Sequence, residues 1–339
     1  MSNSKGKIVV YDEKENEVKS IIVNDKSIRT INNFLMLAVE KGNLAMVKLA
    51  LDLGADVKYK DSYAVARAVK DCNIEISKLL LKKGANPNAK IWSDGEYKTC
   101  FEVAFDLESY DLLKLLIKYK ADAKYENKNP LIQMAYDYYE YNEDIMNLLI
   151  ENGADVNEAF KTCMDMASDK RIVCFLIDKG ADVTILDNEP LIRYIKNDSY
   201  MMTEKLVLAG ADPNARNGVP LEEAIKRCSK RVVEFLVENG AVVQDKHLAL
   251  ASRDNRIGIV DYFISKGLKL DYDKALIEAC KYGANNVIDK LIAVGANAGA
   301  YDNEALIHVL SKDSVLIKKL INAGADINLS KIDFNKIME

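Results

Sequence analysis

The chain has 339 residues, 49% of them hydrophobic and 29% charged, a globular composition that excludes wholesale disorder. Forty-seven Lys and Arg against 52 Asp and Glu leave a net charge of −5, which argues against generic nucleic-acid binding. Two histidines leave little room for imidazole catalysis or a His-rich metal site.

The opening MSNSKGK is polar and leads into only four apolar residues, Ile8 to Tyr11, so no secretory signal is expected. No apolar run approaches the roughly 20 residues that a membrane span needs. Residues 7–23, KIVVYDEKENEVKSIIV, read as two short strands around the polar turn Glu13 to Glu17. From residue 34 a phrase recurs ten times: LDLGADV, LKKGANP, IKYKADA, IENGADV, IDKGADV, VLAGADP, VENGAVV, ISKGLKL, IAVGANA and INAGADI. Its anchors are Gly54, Gly84, Lys120, Gly153, Gly180, Gly210, Gly240, Gly267, Gly295 and Gly324, spaced 27 to 36 residues apart and 30 on average.

Each copy reads as two short helices. An apolar pattern such as Ile76, Leu79, Leu80 runs up to the anchor, and glycine there adopts the left-handed conformation that stops a helix. About sixteen residues earlier a first helix begins, as in PLIRYI at Pro190 or PLEEAI at Pro220. Proline costs nothing there because that N–H has no intrahelical partner. Tight turns such as EKGN at Glu40 to Asn43 join the two helices. One inter-copy loop is long, NPNAKIWSDGEYKTC, with Ser93-Asp94-Gly95 as the expected hairpin tip. The fourth copy carries about three extra residues in YDYYEYNED.

In these features the chain resembles the ankyrin repeat family, whose copies run TPLHxAA, GHLEIVxLLL and GADVN. The likeness is clearest in FLMLAVEKGNLAMVKLALDLGADV, CFEVAFDLESYDLLKLLIKYKAD and ALIEACKYGANNVIDKLIAVGAN. It implies an all-α solenoid of ten stacked helix–turn–helix pairs over residues 34–328, with mostly shortened fingers. Residues 1–33 are expected to form an N-terminal β-hairpin cap, and 329–339 a C-terminal cap. Neighbouring repeats share one continuous core, which replaces the two domains that length alone suggests. The family's TPLH threonine and histidine appear in no copy, so another network must hold the helix starts.

The six cysteines are scattered, form no CxxC, and read as reduced thiols. Cys72 and Cys228 fall in inter-helix turns, where other copies carry Gly42 and Gly283. His247 occupies a helix start and His308 the interior of a first helix, so neither is expected to be catalytic. With no phosphate loop, HExxH or GxSxG, the expectation is a non-enzymatic, cytoplasmic protein without metal or cofactor, acting in the host cytosol if it is a viral or secreted effector.

The family likeness implies a protein partner docked on the concave face, and a chain that is monomeric without it. Carried over by phase, the ends of the first helices supply Lys196, Lys226, Arg227, Arg253 and Tyr282. The long finger supplies Trp92 and Tyr97, Trp92 being the only tryptophan in the chain. The acidic, aromatic insertion adds Tyr136, Tyr138 and Tyr139. Tyr59, Tyr125, Tyr272 and Tyr301, at similar places after an anchor, read instead as packing over the next repeat. The competing readings are an inhibitor of one target enzyme, an enzyme or small-ligand binder using His247 or Cys72, and a nucleic-acid binder using Lys226, Arg227, Lys230 and Arg231.

Overall fold

The computed structural model describes residues 6–11, 17–23, 27–123, 129–134, 141–165, 169–310 and 314–326. They fall in two compact units, Met1–Leu176 and Ile177–Glu339. In each, helices come in antiparallel pairs, as the tenfold phrase requires.

The first unit opens with an antiparallel hairpin, β1 (Gly6–Tyr11) and β2 (Glu17–Val23), in a register from Gly6↔Val23 to Tyr11↔Glu17 with an irregularity between Val10 and Tyr11. Four helix pairs follow: α1 (Ile28–Glu40) with α2 (Leu44–Asp52), α3 (Tyr59–Lys70) with α4 (Ile74–Lys82), α5 (Cys100–Asp106) with α6 (Tyr110–Lys118), and α7 (Pro130–Met134) with α8 (Glu143–Glu151). Strands β3 (Lys90–Ser93) and β4 (Glu96–Thr99) lie between the second and third pairs. Helix α9 (Val156–Asp165) begins a fifth pair, which α10 (Lys170–Asp178) completes at the boundary of the two units. The second unit holds α11 (Ile185–Lys196) with α12 (Tyr200–Leu208), α13 (Ala215–Lys226) with α14 (Lys230–Glu238), α15 (Asp245–Arg253) with α16 (Ile257–Ser265), α17 (Tyr272–Tyr282) with α18 (Asn285–Ala293), and α19 (Ala300–Ile307) with α20 (Ser314–Asn322).

Within each unit first helices stack on first helices and second on second, as α11, α13, α15 and α17 do on one side and α12, α14, α16 and α18 on the other. The core lies between these layers. Small residues such as Ala64, Ala68, Ala104, Ala224 and Ala279 let the helices approach, and Phe101, Phe105, Phe160 and Phe263 fill the space between them. All nine anchor glycines have φ between 64° and 106°, so the periodic phrase marks helix stops set by backbone conformation. Lys120, the odd anchor, is held at φ 65°, the strained choice for a residue with a Cβ.

Two features differ from, or complete, the sequence reading. First, three left-handed residues lie near the start of α3, α11, α13 and α19, just ahead of the right-handed helix that begins at the proline or apolar markers: Lys60–Ser62, Leu186–Asn188, Arg216–Gly218 and Tyr301–Asn303. A backbone bond closes the turn, as from Asn188 N–H to the Thr184 carbonyl at 3.0 Å. This turn stands where a longer finger would otherwise run. Second, the network that replaces the family's threonine and histidine is visible. Buried polar residues at the first-helix starts accept the backbone N–H that follows the same copy's anchor: Asn32 from Asp56 (2.7 Å), Ser62 from Asn86 (2.9 Å), Asn188 from Asp212 (2.8 Å) and Asn303 from Asp326 (2.6 Å). The stretches 136–140 and 327–339 of the fourth-copy insertion and C-terminal cap lie outside the described residues.

Candidate functional site

The long loop folds as the expected finger. Asp94 (φ 53°) and Gly95 (φ 92°) make a two-residue turn with both central residues left-handed, the geometry that matches the twist of paired strands. The register Lys90↔Thr99, Ile91↔Lys98, Trp92↔Tyr97 and Ser93↔Glu96 puts alternate residues on opposite faces. Ile91 turns inward and is buried, whereas Trp92 (55% exposed) and Tyr97 (67%) share the outer face. Their rings meet edge to face at 5.1 Å and 76°.

The finger is braced from below. The Lys98 ammonium, only 12% exposed, lies 2.7 Å from Asp106 on α5, 3.5 Å from Glu96 and 3.7 Å from Asp94. Burial pulls this lysine's pKa down, but the Asp106 hydrogen bond and the surrounding carboxylates outweigh it and hold the pKa above the ordinary value. Lys70 donates to the Trp92 carbonyl at 2.7 Å, and the Cys100 N–H donates to the Ala89 carbonyl at 3.0 Å. Thr99 and Glu102 cap α5 reciprocally, which fixes the finger's exit. An exposed aromatic pair is thus presented on a braced support.

The second unit gathers part of the remaining candidate set. Helices α13, α15 and α17 line a groove of about 390 Å³ with Glu222, Lys226, Lys246, Ala249, Leu250, Arg253, Lys274 and Glu278. Lys226 and Arg253 therefore share one site, and the Arg253 guanidinium lies 5.8 Å from the exposed Tyr282 ring. Arg227 caps α13 and Lys196 ends α11, both exposed. Lys246, Lys274, Glu222 and Glu278 escaped the sequence reading, which followed only the ends of the first helices. Their spacing, 222/226, 246/250/253 and 274/278, carries the one-face signal of a helix. The basic run 226–231 does not act as one patch. Arg231 stacks 3.6 Å above the Tyr200 ring, Lys230 pairs with Glu234 at 3.5 Å and Lys226 with Glu223 at 2.8 Å.

Tyr136, Tyr138 and Tyr139 lie outside the described residues, as does Tyr125. Of the loop tyrosines read as packing, Tyr272 is half-buried and donates to the Leu268 carbonyl at 3.3 Å. Tyr301 differs: it is 53% exposed and its hydroxyl donates to Asp271 across to the neighbouring loop at 2.5 Å. His247 is fully buried. Its Nδ1 accepts the Gln244 N–H at 3.0 Å, and burial, with Lys246 nearby, pushes its pKa down to about 4. The ring packs so closely on Gly218 that a Cβ there would sit 2.9 Å from Nε2. His308 lies 3.7 Å from Glu304. Among the described residues no group of three or more His, Cys, Asp or Glu is placed to hold a metal, and no helix is long and apolar enough to cross a membrane.

Comparison with known proteins agrees with this architecture. A family model described as ankyrin repeats (3 copies) matches residues 8–91. Putative ankyrin repeat protein R599 of Acanthamoeba polyphaga mimivirus is 23% identical over 226 residues, 65% of this chain and 62% of that protein. Putative ankyrin repeat protein R603 of the same virus is 31% identical over 112 residues, 30% of this chain and 34% of that protein. The chain thus spans less than two thirds of either relative. The anchor glycines, the helix pairs stacked in two layers and these matches all point the same way: the chain is similar to ankyrin repeat proteins.

Proposed function

We propose that the chain is a non-enzymatic scaffold that recognises a partner protein through the finger at 85–99 and the concave, first-helix face of its repeats, and that it is monomeric without that partner. Ankyrin repeats are protein-binding modules, and the observation that carries the finer reading is the Trp92–Tyr97 pair, held outward on a finger whose Lys98 brace is largely shielded from solvent. Aromatic anchors on a rigid support are the usual source of interface energy. The mimivirus relatives support action in the cytosol of an infected cell.

The test is capture with the full-length chain, followed by mass spectrometry of the bound proteins. A partner retained by the wild type should be lost, or bound at least tenfold more weakly, with Trp92→Ala. Helicity should not change, and stability should fall by no more than about 1 kcal/mol, the worth of one cross-strand aromatic pair. Unchanged affinity for that partner would remove the finger from the interface.

A further inference from the structure

We propose that the groove between α13, α15 and α17 binds an extended acidic segment of a partner protein, with carboxylates about three residues apart. This rests on the protein-binding reading above and adds the chemistry of what is bound. The groove lining carries four cations, Lys226, Lys246, Arg253 and Lys274, against two carboxylates, Glu222 and Glu278. Lys274 is exposed, and its ammonium has no ion-pair partner among the described residues. Three of the cations already have carboxylate partners that an incoming carboxylate would replace: Lys226 pairs with Glu223 at 2.8 Å, Arg253 with Asp254 at 2.8 Å, and Lys246 with Glu222 of α13 at 2.7 Å. Surface pairs of this kind are worth little and exchange readily for an incoming carboxylate.

The cations form two rows. Lys226 and Arg253 lie at the C-terminal ends of α13 and α15, and Lys246 and Lys274 near the N-terminal ends of α15 and α17. Stacked helices are about 8–10 Å apart and an extended chain rises about 3.3 Å per residue, so each step between helices spans about three residues of ligand. Ala249 and Leu250 form an apolar floor between the rows, and Tyr282 stands exposed beside Arg253. A polypeptide offers carboxylates for the cations, apolar side chains for that floor, and backbone N–H groups for Glu222 and Glu278. A DNA strand has no donor along its backbone for those two glutamates, and the chain's net charge of −5 opposes a dense polyanion.

The experiment is fluorescence anisotropy on the full chain with labelled peptides of about ten residues. One carries Glu at every third position among Ala, Ser and Leu, a second carries Lys in place of Glu, and a thymidine oligonucleotide of similar length is the third probe. The Glu peptide should bind more tightly than both others and weaken as salt rises. Lys226→Glu with Arg253→Glu should weaken it at least tenfold, and Lys274→Gln, at an exposed site, should weaken it with folding undisturbed. Trp92→Ala should leave it unchanged. Equal or tighter binding of the Lys peptide, no binding of the Glu peptide, or indifference to both sets of substitutions would overturn the acidic-segment proposal. The finger's partner, read by Trp92-dependent capture, would still stand. Preferential binding of the oligonucleotide, lost on charge reversal, would overturn the acidic-segment proposal and the protein-docking reading of this face.

Discussion

Asn188 offers a direct test of how these shortened repeats are held closed. Its side chain is 7% exposed, its φ is 59°, and its Oδ1 accepts the Asp212 N–H at 2.8 Å across 24 residues of chain. Asn188→Gly keeps the left-handed backbone but removes the acceptor, leaving the N–H without its partner. The lost bond costs about 1–1.5 kcal/mol, and the freer unfolded chain adds about 0.5 kcal/mol. Asn188→Ala removes the same acceptor and keeps a Cβ in the left-handed region without the polar side chain that lets asparagine tolerate it, which leaves it about 1 kcal/mol less stable than the glycine variant. Asn188→Asp retains an acceptor and should fall closest to the wild type. Urea unfolding followed by far-ultraviolet circular dichroism should rank the variants Asp, Gly, Ala in order of increasing loss, with little change in m. A glycine variant as stable as the wild type would show that the hydrogen bond holds nothing. An alanine variant no worse than glycine would refute the left-handed turn.

Three further outcomes follow from particular geometries. Lys120→Gly should stabilise the first unit by about 1 kcal/mol, because Lys120 occupies an anchor at φ 65° where nine other copies have glycine; a lower midpoint in urea would contradict this. His247 is neutral in the folded state, with its pKa pushed from 6.5 down to about 4. Above pH 6.5 it is uncharged in both states. Below that the unfolded chain takes up a proton that the folded chain refuses, so stability falls by about 1.4 kcal/mol per pH unit until pH reaches about 4, roughly 3 kcal/mol in all. The stability difference between wild type and His247→Gln, measured from pH 7 to 4.5, isolates this slope, and a constant difference would refute the assignment. Lys98→Met should cost about 2 kcal/mol by leaving Asp106 without its charged donor, and should loosen the finger. Because Trp92 is the sole tryptophan, its fluorescence anisotropy reads that loosening directly, and an unchanged value would place the rigidity elsewhere.

The repeat register was legible in the sequence because it is written in residues whose backbone preferences act locally. The anchor glycines mark left-handed helix stops, Pro190 and Pro220 mark first turns, and Asp94-Gly95 dictates a hairpin whatever surrounds it. Trp92 and Tyr97 were legible for the same reason: a two-residue turn pairs their positions and alternation turns them outward. What only the tertiary structure decided depends on residues brought together from distant parts of the chain. The groove needs three helices, so following helix ends alone found Lys226 and Arg253 but passed over Lys246 and Lys274. The run 226–231 looked like one basic patch, yet Arg231 turns to the Tyr200 ring because helix period, not sequence adjacency, sets direction. His247 looked like an ordinary helix-start residue, and its burial against a glycine 29 positions earlier is visible only once α13 and α15 are stacked. The missing threonine and histidine announced that some other network must exist. Which side chains supply it was settled by packing, since an asparagine or serine becomes a staple only where the next loop's N–H arrives within hydrogen-bond reach.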